Sequence, residues 1–259
     1  MPWNPDQYNQ FEKQRSEPFN DLLALVECRP HLRVIDLGCG TGTLTRQLAD
    51  TLPDSDVLGL DSSPEMLERA AAQVRPGLRF EQGTIESLVS QPEQQGQWDL
   101  VFSNAAVQWV ENHTALIPRL FALLRPGGQL AVQVPSNHEQ FVHAALRETA
   151  SETPFREAVD GWVREWSVLS IVQYADLLYA NAGQKLTVFE KIYPHVLENA
   201  DAVLAWSRGT AMVPFLERLP ESLHEPFIAR YRQRLHAHWP TEPVFFGFRR
   251  ILFSATPAG

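Results

Sequence analysis

Short apolar runs alternate along the chain with segments whose apolar residues recur at helical spacing. Val34-Ile35-Asp36-Leu37, Val57-Leu58-Gly59-Leu60, Leu78-Arg79-Phe80-Glu81-Gln82, Trp98 to Asn104 and Gln129 to Val134 read as strands. Helices are expected over Thr43 to Leu52, from Ser62 onward, and over Leu120 to Leu124, the last followed by a turn at Arg125-Pro126-Gly127-Gly128. Ser62-Ser63-Pro64 supplies a cap and an early proline for the second of these, with Met66, Leu67 and Ala70 on its inner face. Strands alternating with helices predict an α/β fold with a mostly parallel, doubly wound sheet. The rhythm breaks after Pro135-Ser136-Asn137: from His138 to about Ala182 the sequence is helical, polar and bears Trp162 and Trp166. We read it as an insertion forming a cap, with Ile171 to Ala182 returning to the domain as a helix. Lys185 to Val196 and Phe245 to Thr256 are the closing strands, a hairpin-like pair. Asp201 to Thr210, Val213-Pro214-Phe215-Leu216 and the amphipathic stretch Pro220 to Trp239 form a second helical cap element between them.

The chemistry starts where the first apolar run stops, in Gly38-Cys39-Gly40-Thr41-Gly42. Glycine lets the backbone turn tightly there and come close to a ligand that a β-carbon would obstruct. Nineteen residues after Gly42 the second run ends at Asp61, whose carboxylate at a strand tip can accept hydrogen bonds from two ribose hydroxyls. Loop and carboxylate together signal an adenosine-type cofactor. A dinucleotide site would carry G-x-G-x-x-G and hold a pyrophosphate at the helix N-terminus. Here the spacing is G-x-G-x-G with Asp36 two residues before it, an acid that repels a pyrophosphate and can receive the ammonium of an amino-acid moiety. S-adenosylmethionine is favoured over NAD.

At these residues the chain resembles the class I S-adenosylmethionine-dependent methyltransferases, whose first motif reads much like D-L-G-C-G-T-G. The resemblance implies a Rossmann-like sheet of about seven strands with a helical cap, ligands gathering beyond the carboxyl ends of the strands. It divides the chain into a lid segment over 1–30, a cofactor-binding core over 31–137, a helical insertion over 138–184, and closing strands over 185–259 interrupted by a cap element at about 199–240. Asp36, Gly38, Cys39, Gly40, Asp61, Ser62 and Met66 are cofactor candidates, Cys39 as a small buried side chain and Met66 either against the adenosine or as core packing. Gly83, Thr84 and Ile85 follow the third strand, where such enzymes meet the adenine, often with an acid; Thr84 stands at the likely acidic position, and its hydroxyl or a backbone carbonyl would take over that contact.

Asn104, Ala105, Ala106, Gln108 and Trp109 follow the fourth strand, with small residues that allow close approach to the methionine part of the cofactor. S-N-A-A-V-Q-W resembles the same loop in aconitate methyltransferases and in carboxyl methyltransferases acting on a malonyl thioester. Many class I enzymes carry a histidine at Gln108. An acceptor that must lose a proton needs such a base, whereas an ionised carboxylate already presents its nucleophile, so Gln108 favours carboxylate methylation. His113 is read as a solvated histidine at a helix start, with a role as base the alternative.

At the N-terminus, W-N-P-x-x-Y-x-x-F followed by Arg15, Pro18 and D-L-L resembles the opening segment of the trans-aconitate 2-methyltransferase family, where it closes over cofactor and substrate. That makes Gln7 and Arg15 cofactor candidates and Trp3 and Tyr8 substrate candidates, Tyr8 joining Gln108, Trp109 and His113 among the positioning residues. Without the resemblance, Tyr8 and Phe11 form a hydrophobic pair on one helical face. Trp206, Thr210 and Pro214-Phe215-Leu216 resemble that family's W-x-x-x-T-G-L-R-P-x-L, and with Gln108 and Asn137 complete the substrate candidates. Ala211 and Val213 stand where the pattern has Gly and Arg, and Glu17 where the family tends to have a second Arg. A guanidinium expected to clamp a carboxylate is thus missing. Arg208, Arg249 and Arg250 are compensating candidates, each read by default as exposed surface.

A net charge of −9 over 259 residues opposes a nucleic-acid footprint. No segment has the length and apolarity of a membrane span or signal core, and the two cysteines, Cys28 and Cys39, lack metal-ligand spacing, as do the His, Asp and Glu residues. A reducing cytoplasm and a small-molecule acceptor of the carboxylic acid class are expected. The runner-up functions are methylation of carbon, nitrogen or oxygen in another secondary metabolite, and a non-catalytic S-adenosylmethionine-binding sensor.

Overall fold

The computed structural model describes residues 12–182 and 185–257, with side chains from residue 17 onward. Strands β1 (Arg33–Leu37), β2 (Asp56–Asp61), β3 (Leu78–Gln82), β4 (Trp98–Asn104) and β5 (Leu124–Pro135) run parallel. With β6 (Leu186–Leu197) and β7 (Val244–Ala255) they form a seven-stranded sheet ordered β3-β2-β1-β4-β5-β7-β6, β7 lying antiparallel to β5. The apolar runs are nearly continuous because both faces of each central strand are covered. Val34, Val57, Leu100, Phe102, Ala131 and Leu252 pack on one face with helices α1 (Glu12–Leu23) and α2 (Thr43–Thr51). Ile35, Leu58, Leu60, Val101, Leu130, Val132 and Phe253 pack on the other with α4 (Ile85–Val89), α5 (His113–Ala122) and α8 (Ile171–Ala182). Here α3 (Pro64–Ala70) is the short helix capped by Ser63, whose Oγ accepts the Met66 N–H. The helices on both faces make the sheet doubly wound and Rossmann-like, as expected.

One strand boundary is corrected. Arg125-Pro126-Gly127-Gly128 is not a turn outside the sheet but part of β5, absorbed by a register shift in which Trp98 faces Leu124 and Leu100 faces Gln129.

The chain divides into two compact units. Among the described residues the first comprises Ser16–Pro135, Ser167–Lys191 and 250–257, with the core just given. The second comprises Ser136–Trp166 and Ile192–Arg249 and has its own core. There α6 (Phe141–Ala150), α7 (Phe155–Ala158), α9 (Ala200–Arg208), α10 (Val213–Leu216) and α11 (His224–His238) bury Leu146, Phe155, Val203, Phe215, Phe227 and Tyr231. The Tyr231 hydroxyl bonds the Val142 carbonyl and the Ser207 hydroxyl, tying α11 to α6 and α9. No helix among the described residues is long and apolar enough to cross a membrane.

Candidate active site

The first unit gathers the predicted cofactor residues from position 36 to 106 at the carboxyl ends of β1 to β4. Gly38 and Cys39 donate their backbone N–H groups to the Leu60 carbonyl at 2.7 and 3.0 Å, wiring the glycine loop to the tip of β2. Gly38 has φ +75°, and a β-carbon there would lie 2.1 Å from Cβ of Ala106, so the glycine loop and the loop after β4 touch through their smallest residues. At Gly40, also left-handed at φ +56°, a β-carbon would meet nothing within 4 Å, leaving bare backbone beside open space. Asp61 fixes this geometry: its Oδ2 accepts the Gly40 N–H at 2.8 Å and its Oδ1 the Ser63 N–H at 2.9 Å. The Asp61 carbonyl accepts the Gly83 N–H at 3.0 Å, which brings in the tip of β3.

Asp36 is 3 % exposed, and its Oδ2 accepts the Thr45 hydroxyl at 2.6 Å. Burial pushes its pKa up to about 7, against the Thr45 hydrogen bond and aided by the negative charge of Asp61. Among the described residues no cation offsets it. The same burial, with Asp36 and Asp61 close by, raises the Cys39 thiol far above its ordinary value and keeps it a protonated packing group.

After β4, Ala105 adopts φ +56°, an unfavourable conformation for a residue with a β-carbon. Its N–H is held by the Gln133 carbonyl at 3.0 Å and its carbonyl by Gln108 Nε2 at 2.6 Å. Gln108 therefore braces the loop. Among the described residues, Asn104 Oδ1 and Gln108 Oε1 are buried acceptors without a hydrogen-bond partner. Trp109 is 65 % exposed. A left-handed loop, a buried carboxylate with no cation among the described residues and these two acceptors fit a ligand that brings cationic and hydrogen-donating groups.

Other candidates have more local duties. Ser62 is exposed, its carbonyl taken by Gln82 Nε2 at 3.3 Å. Met66 is half-buried. Thr84 Oγ1 accepts the Ser87 N–H at 3.1 Å as the cap of α4, and the Ile85 side chain belongs to the core. In the second unit, Asn137 Oδ1 accepts the Arg249 N–H at 2.7 Å while its Nδ2 is buried without a partner. Trp206 packs among His195, Phe246 and Phe248, and the exposed Thr210 gives its hydroxyl to the Trp206 carbonyl at 3.0 Å. Trp3, Gln7, Tyr8 and the Arg15 side chain lie outside the described residues.

Two readings are corrected. His113 is 1 % exposed rather than solvated. Its Nε2 donates to the Val107 carbonyl at 2.8 Å, which fixes the proton there and leaves Nδ1 to accept from the Tyr174 hydroxyl. Burial lowers its pKa. Both nitrogens are committed, Nε2 to the turn before α5 and Nδ1 to α8, so the ring is a strut and not an available base. Arg250 is 8 % exposed rather than a surface arginine, and its Nη1 donates to Gln133 Oε1 at 3.1 Å. Alternation along β7 puts Arg250 on the face of Leu252 and Ser254, and Arg249 on the other.

The sequence reading did not single out Arg147, Arg164 or Trp166 of the second unit, which surround one another with both histidines of the 138–143 segment. A visible signal was the pair Trp162 and Trp166 with Arg164 between them. Among the described residues no group of three or more His, Cys, Asp or Glu side chains is placed to hold a metal ion.

Residues 29–191 match a family model described as a methyltransferase domain. Over 99 % of its length the chain is 47 % identical to a trans-aconitate 2-methyltransferase from Deinococcus radiodurans, covering 98 % of that protein. A trans-aconitate 2-methyltransferase from Variovorax paradoxus is 40 % identical, with 93 % of this chain and 91 % of that one covered. Among solved structures, the YcgJ protein from Bacillus subtilis superposes with a TM-score of 0.61 at 17 % identity, covering 94 % of this chain and all of that one, a likeness of fold.

Proposed function

The chain belongs to the trans-aconitate 2-methyltransferase family of S-adenosylmethionine-dependent methyltransferases, and from that premise we propose that it methylates a carboxylate oxygen of trans-aconitate. The observation that carries the reading is the likeness along almost the whole chain to relatives bearing that name. Bound S-adenosylmethionine supplies a methyl group on a sulfonium: the sulfur–carbon bond breaks as the oxygen–carbon bond forms, leaving an ester and a thioether, with no proton to move.

That chemistry asks little of side chains as acids or bases, in keeping with a first unit whose one histidine candidate, His113, is locked in the core. What it does ask is alignment and exclusion of water. Asp61, held by two backbone N–H groups, is oriented to accept ribose hydroxyls. Asp36 offers the ammonium a carboxylate that no cation among the described residues already holds. Gly38 and Ala106 let the loops after β1 and β4 approach closely enough to hold the methionine portion between them. The residues after Asn104, held by Gln108, form the platform on which the acceptor is aligned.

The test is mass-spectrometric detection of methyl transfer to trans-aconitate beside cis-aconitate, isocitrate and a metabolite extract. A trans-aconitate monomethyl ester is expected. An ester found only on another acid, or a methyl on carbon or nitrogen, overturns the substrate and leaves the methyltransferase in place.

A further inference from the structure

The second unit gathers half-buried arginines and histidines around a tryptophan. The Arg164 guanidinium lies over the Trp166 ring, 4.0 Å from its centroid, and donates from Nη1 to the Ala211 carbonyl at 2.9 Å. His143 meets the same ring edge-on at 4.6 Å, and the His138 ring lies 5.9 Å away. Arg147 donates to the His138 carbonyl at 3.0 Å. At the rim, Arg218 lies over Trp162 at 4.0 Å and donates to the Pro214 carbonyl at 3.0 Å. Among the described residues Trp166 Nε1 is a buried donor without a hydrogen-bond partner.

Arg147, Arg164 and Arg218 bond carbonyls or lie over rings, and among the described residues none of the three pairs with a carboxylate. Other arginines of the same unit behave differently. Arg230 and Arg234 share Glu152, Arg234 also takes Glu148, and Arg232 holds both oxygens of Asp201. The unit thus pairs Arg230, Arg232 and Arg234 with carboxylates and, among the described residues, leaves the group of Arg147, Arg164 and Arg218 without one. The repulsion is visible in its members: burial, Arg164, Arg147 and His138 depress His143 to about 3, and burial with Arg218 depresses Arg164 to about 10. Two guanidiniums braced by carbonyls, and an indole N–H with nothing to donate to, make a donor set with no acceptor.

We propose that Arg147, Arg164 and the Trp166 N–H form an anion site within the second unit that takes a small di- or tricarboxylate. The choice of a polycarboxylate rests on the function proposed above. Guanidiniums match planar carboxylates with paired N–H groups, and stacking on Trp166 fixes the plane in which Arg164 presents them. Arg218, at the rim, steers the anion inward.

The experiment uses the full chain with S-adenosylhomocysteine bound, so that no turnover occurs. Tryptophan fluorescence and calorimetry follow titration with trans-aconitate, with citrate and with inorganic phosphate. For trans-aconitate, Arg164→Gln is expected to weaken binding ~30-fold and Arg147→Gln ~10-fold, with Arg164→Lys between Arg164→Gln and wild type. S-adenosylhomocysteine affinity stays within about 2-fold. Wild-type affinity for trans-aconitate in folded Arg164→Gln and Arg147→Gln overturns the site, as does equal binding of phosphate. Should Arg164→Gln fail to fold for want of its bond to Ala211, Arg147→Gln and Arg164→Lys decide by the same readout. If the wild type methylates no trans-aconitate, the function above fails by itself. The anion site then stands if citrate or trans-aconitate quenches the tryptophans and Arg147→Gln abolishes the quenching, and falls if neither acid quenches.

Discussion

In the loops beyond β1, β2 and β4 the charged groups are acidic: Asp36 is buried against the Thr45 hydroxyl and Asp61 accepts two backbone N–H groups, with no cation beside Asp36 among the described residues. In the second unit around Trp166 they are basic, burial together with Arg164 and Arg147 holding His143 neutral beside them, with no carboxylate on the two arginines among the described residues. The regions also differ in what holds them. The acidic one is built from main chain at strand ends, where a single β-carbon is excluded by sterics. The basic one is built from long side chains laid on tryptophan. Sulfonium and ammonium are the cations this fold's cofactor brings; a polycarboxylate acceptor is an anion. The contrast teaches that the first region suits a cationic ligand and the second an anionic one, and that the first should be brittle to substitution and the second graded.

Brittleness is tested most severely at Gly38. Gly38→Val places branched carbon where even a β-carbon would be 2.1 Å from Ala106, in a left-handed conformation. Cofactor affinity measured by calorimetry is expected to fall by more than ~1,000-fold, and an affinity within 10-fold of wild type would show that the two loops do not need their close contact. Asp61→Asn is next: it keeps the shape but turns one acceptor into a donor facing the N–H of Gly40 or Ser63. A loss of about 30- to 100-fold in S-adenosylhomocysteine binding is expected, with trans-aconitate affinity of the preloaded protein little changed. Equal losses for both ligands would dissolve the division of labour between the regions.

The regions also tilt the pH profile in opposite senses. Asp36 has a folded pKa of about 7, above its ordinary value, so the folded state holds an extra proton between roughly pH 4 and 7. Its contribution is fully present below pH 4 and is lost as pH rises to 7. His143 has a folded pKa of about 3, below its ordinary value, so its contribution is present above about pH 6.5 and lost as pH falls. Asp36→Asn is expected to stabilise the apo protein at pH 8 relative to pH 5.5. His143→Gln is expected to flatten the acid limb. Because a bound cation favours the ionised carboxylate, wild-type cofactor affinity should rise about 10-fold between pH 6 and 8, and the slope should vanish in Asp36→Asn. A pH-independent affinity in the wild type would mean that Asp36 does not meet the cation.

The sheet and the acidic region were readable because both are local in sequence. Buried parallel strands leave unbroken apolar runs, and G-x-G-x-G with a downstream Asp fixes a loop by itself. The strand β5 was read short because Arg125-Pro126-Gly127-Gly128 has turn composition, while the register shift that keeps it in the sheet depends on Trp98 and Leu124. Arg250 looked like surface because its neighbour Arg249 is equally charged; strand alternation forces one of the two inward. The basic region was not legible because Arg147, Arg164 and Ala211 come from separate segments, and the irregular stretch around Arg164 has no period to place its side chains. His113 was misread for a related reason. Asn112 caps α5 and makes the next residue look solvent-facing, whereas the Val107 carbonyl from the preceding turn and Tyr174, 61 positions later, capture the ring.

His113 yields the smallest expected effect on catalysis and the sharpest check on where the chemistry resides. If it served as a base, its partner Tyr174 would tune its pKa, and Tyr174→Phe would move the kinetic pH profile. The hydrogen-bond geometry gives another outcome. Nε2 carries the proton because the Val107 carbonyl can only accept, and Nδ1 is the acceptor that Tyr174→Phe leaves unmet inside the core. The cost is a buried unsatisfied nitrogen, about 1–2 kcal/mol of stability, seen as a fall of roughly 2–8 °C in Tm. The variant's kcat and KM at 25 °C should stay within about 2-fold of wild type, since carboxylate methylation moves no proton. A kcat profile with a new or displaced limb between pH 6 and 8 in Tyr174→Phe would return His113 to the reaction and would point to an acceptor that must be deprotonated.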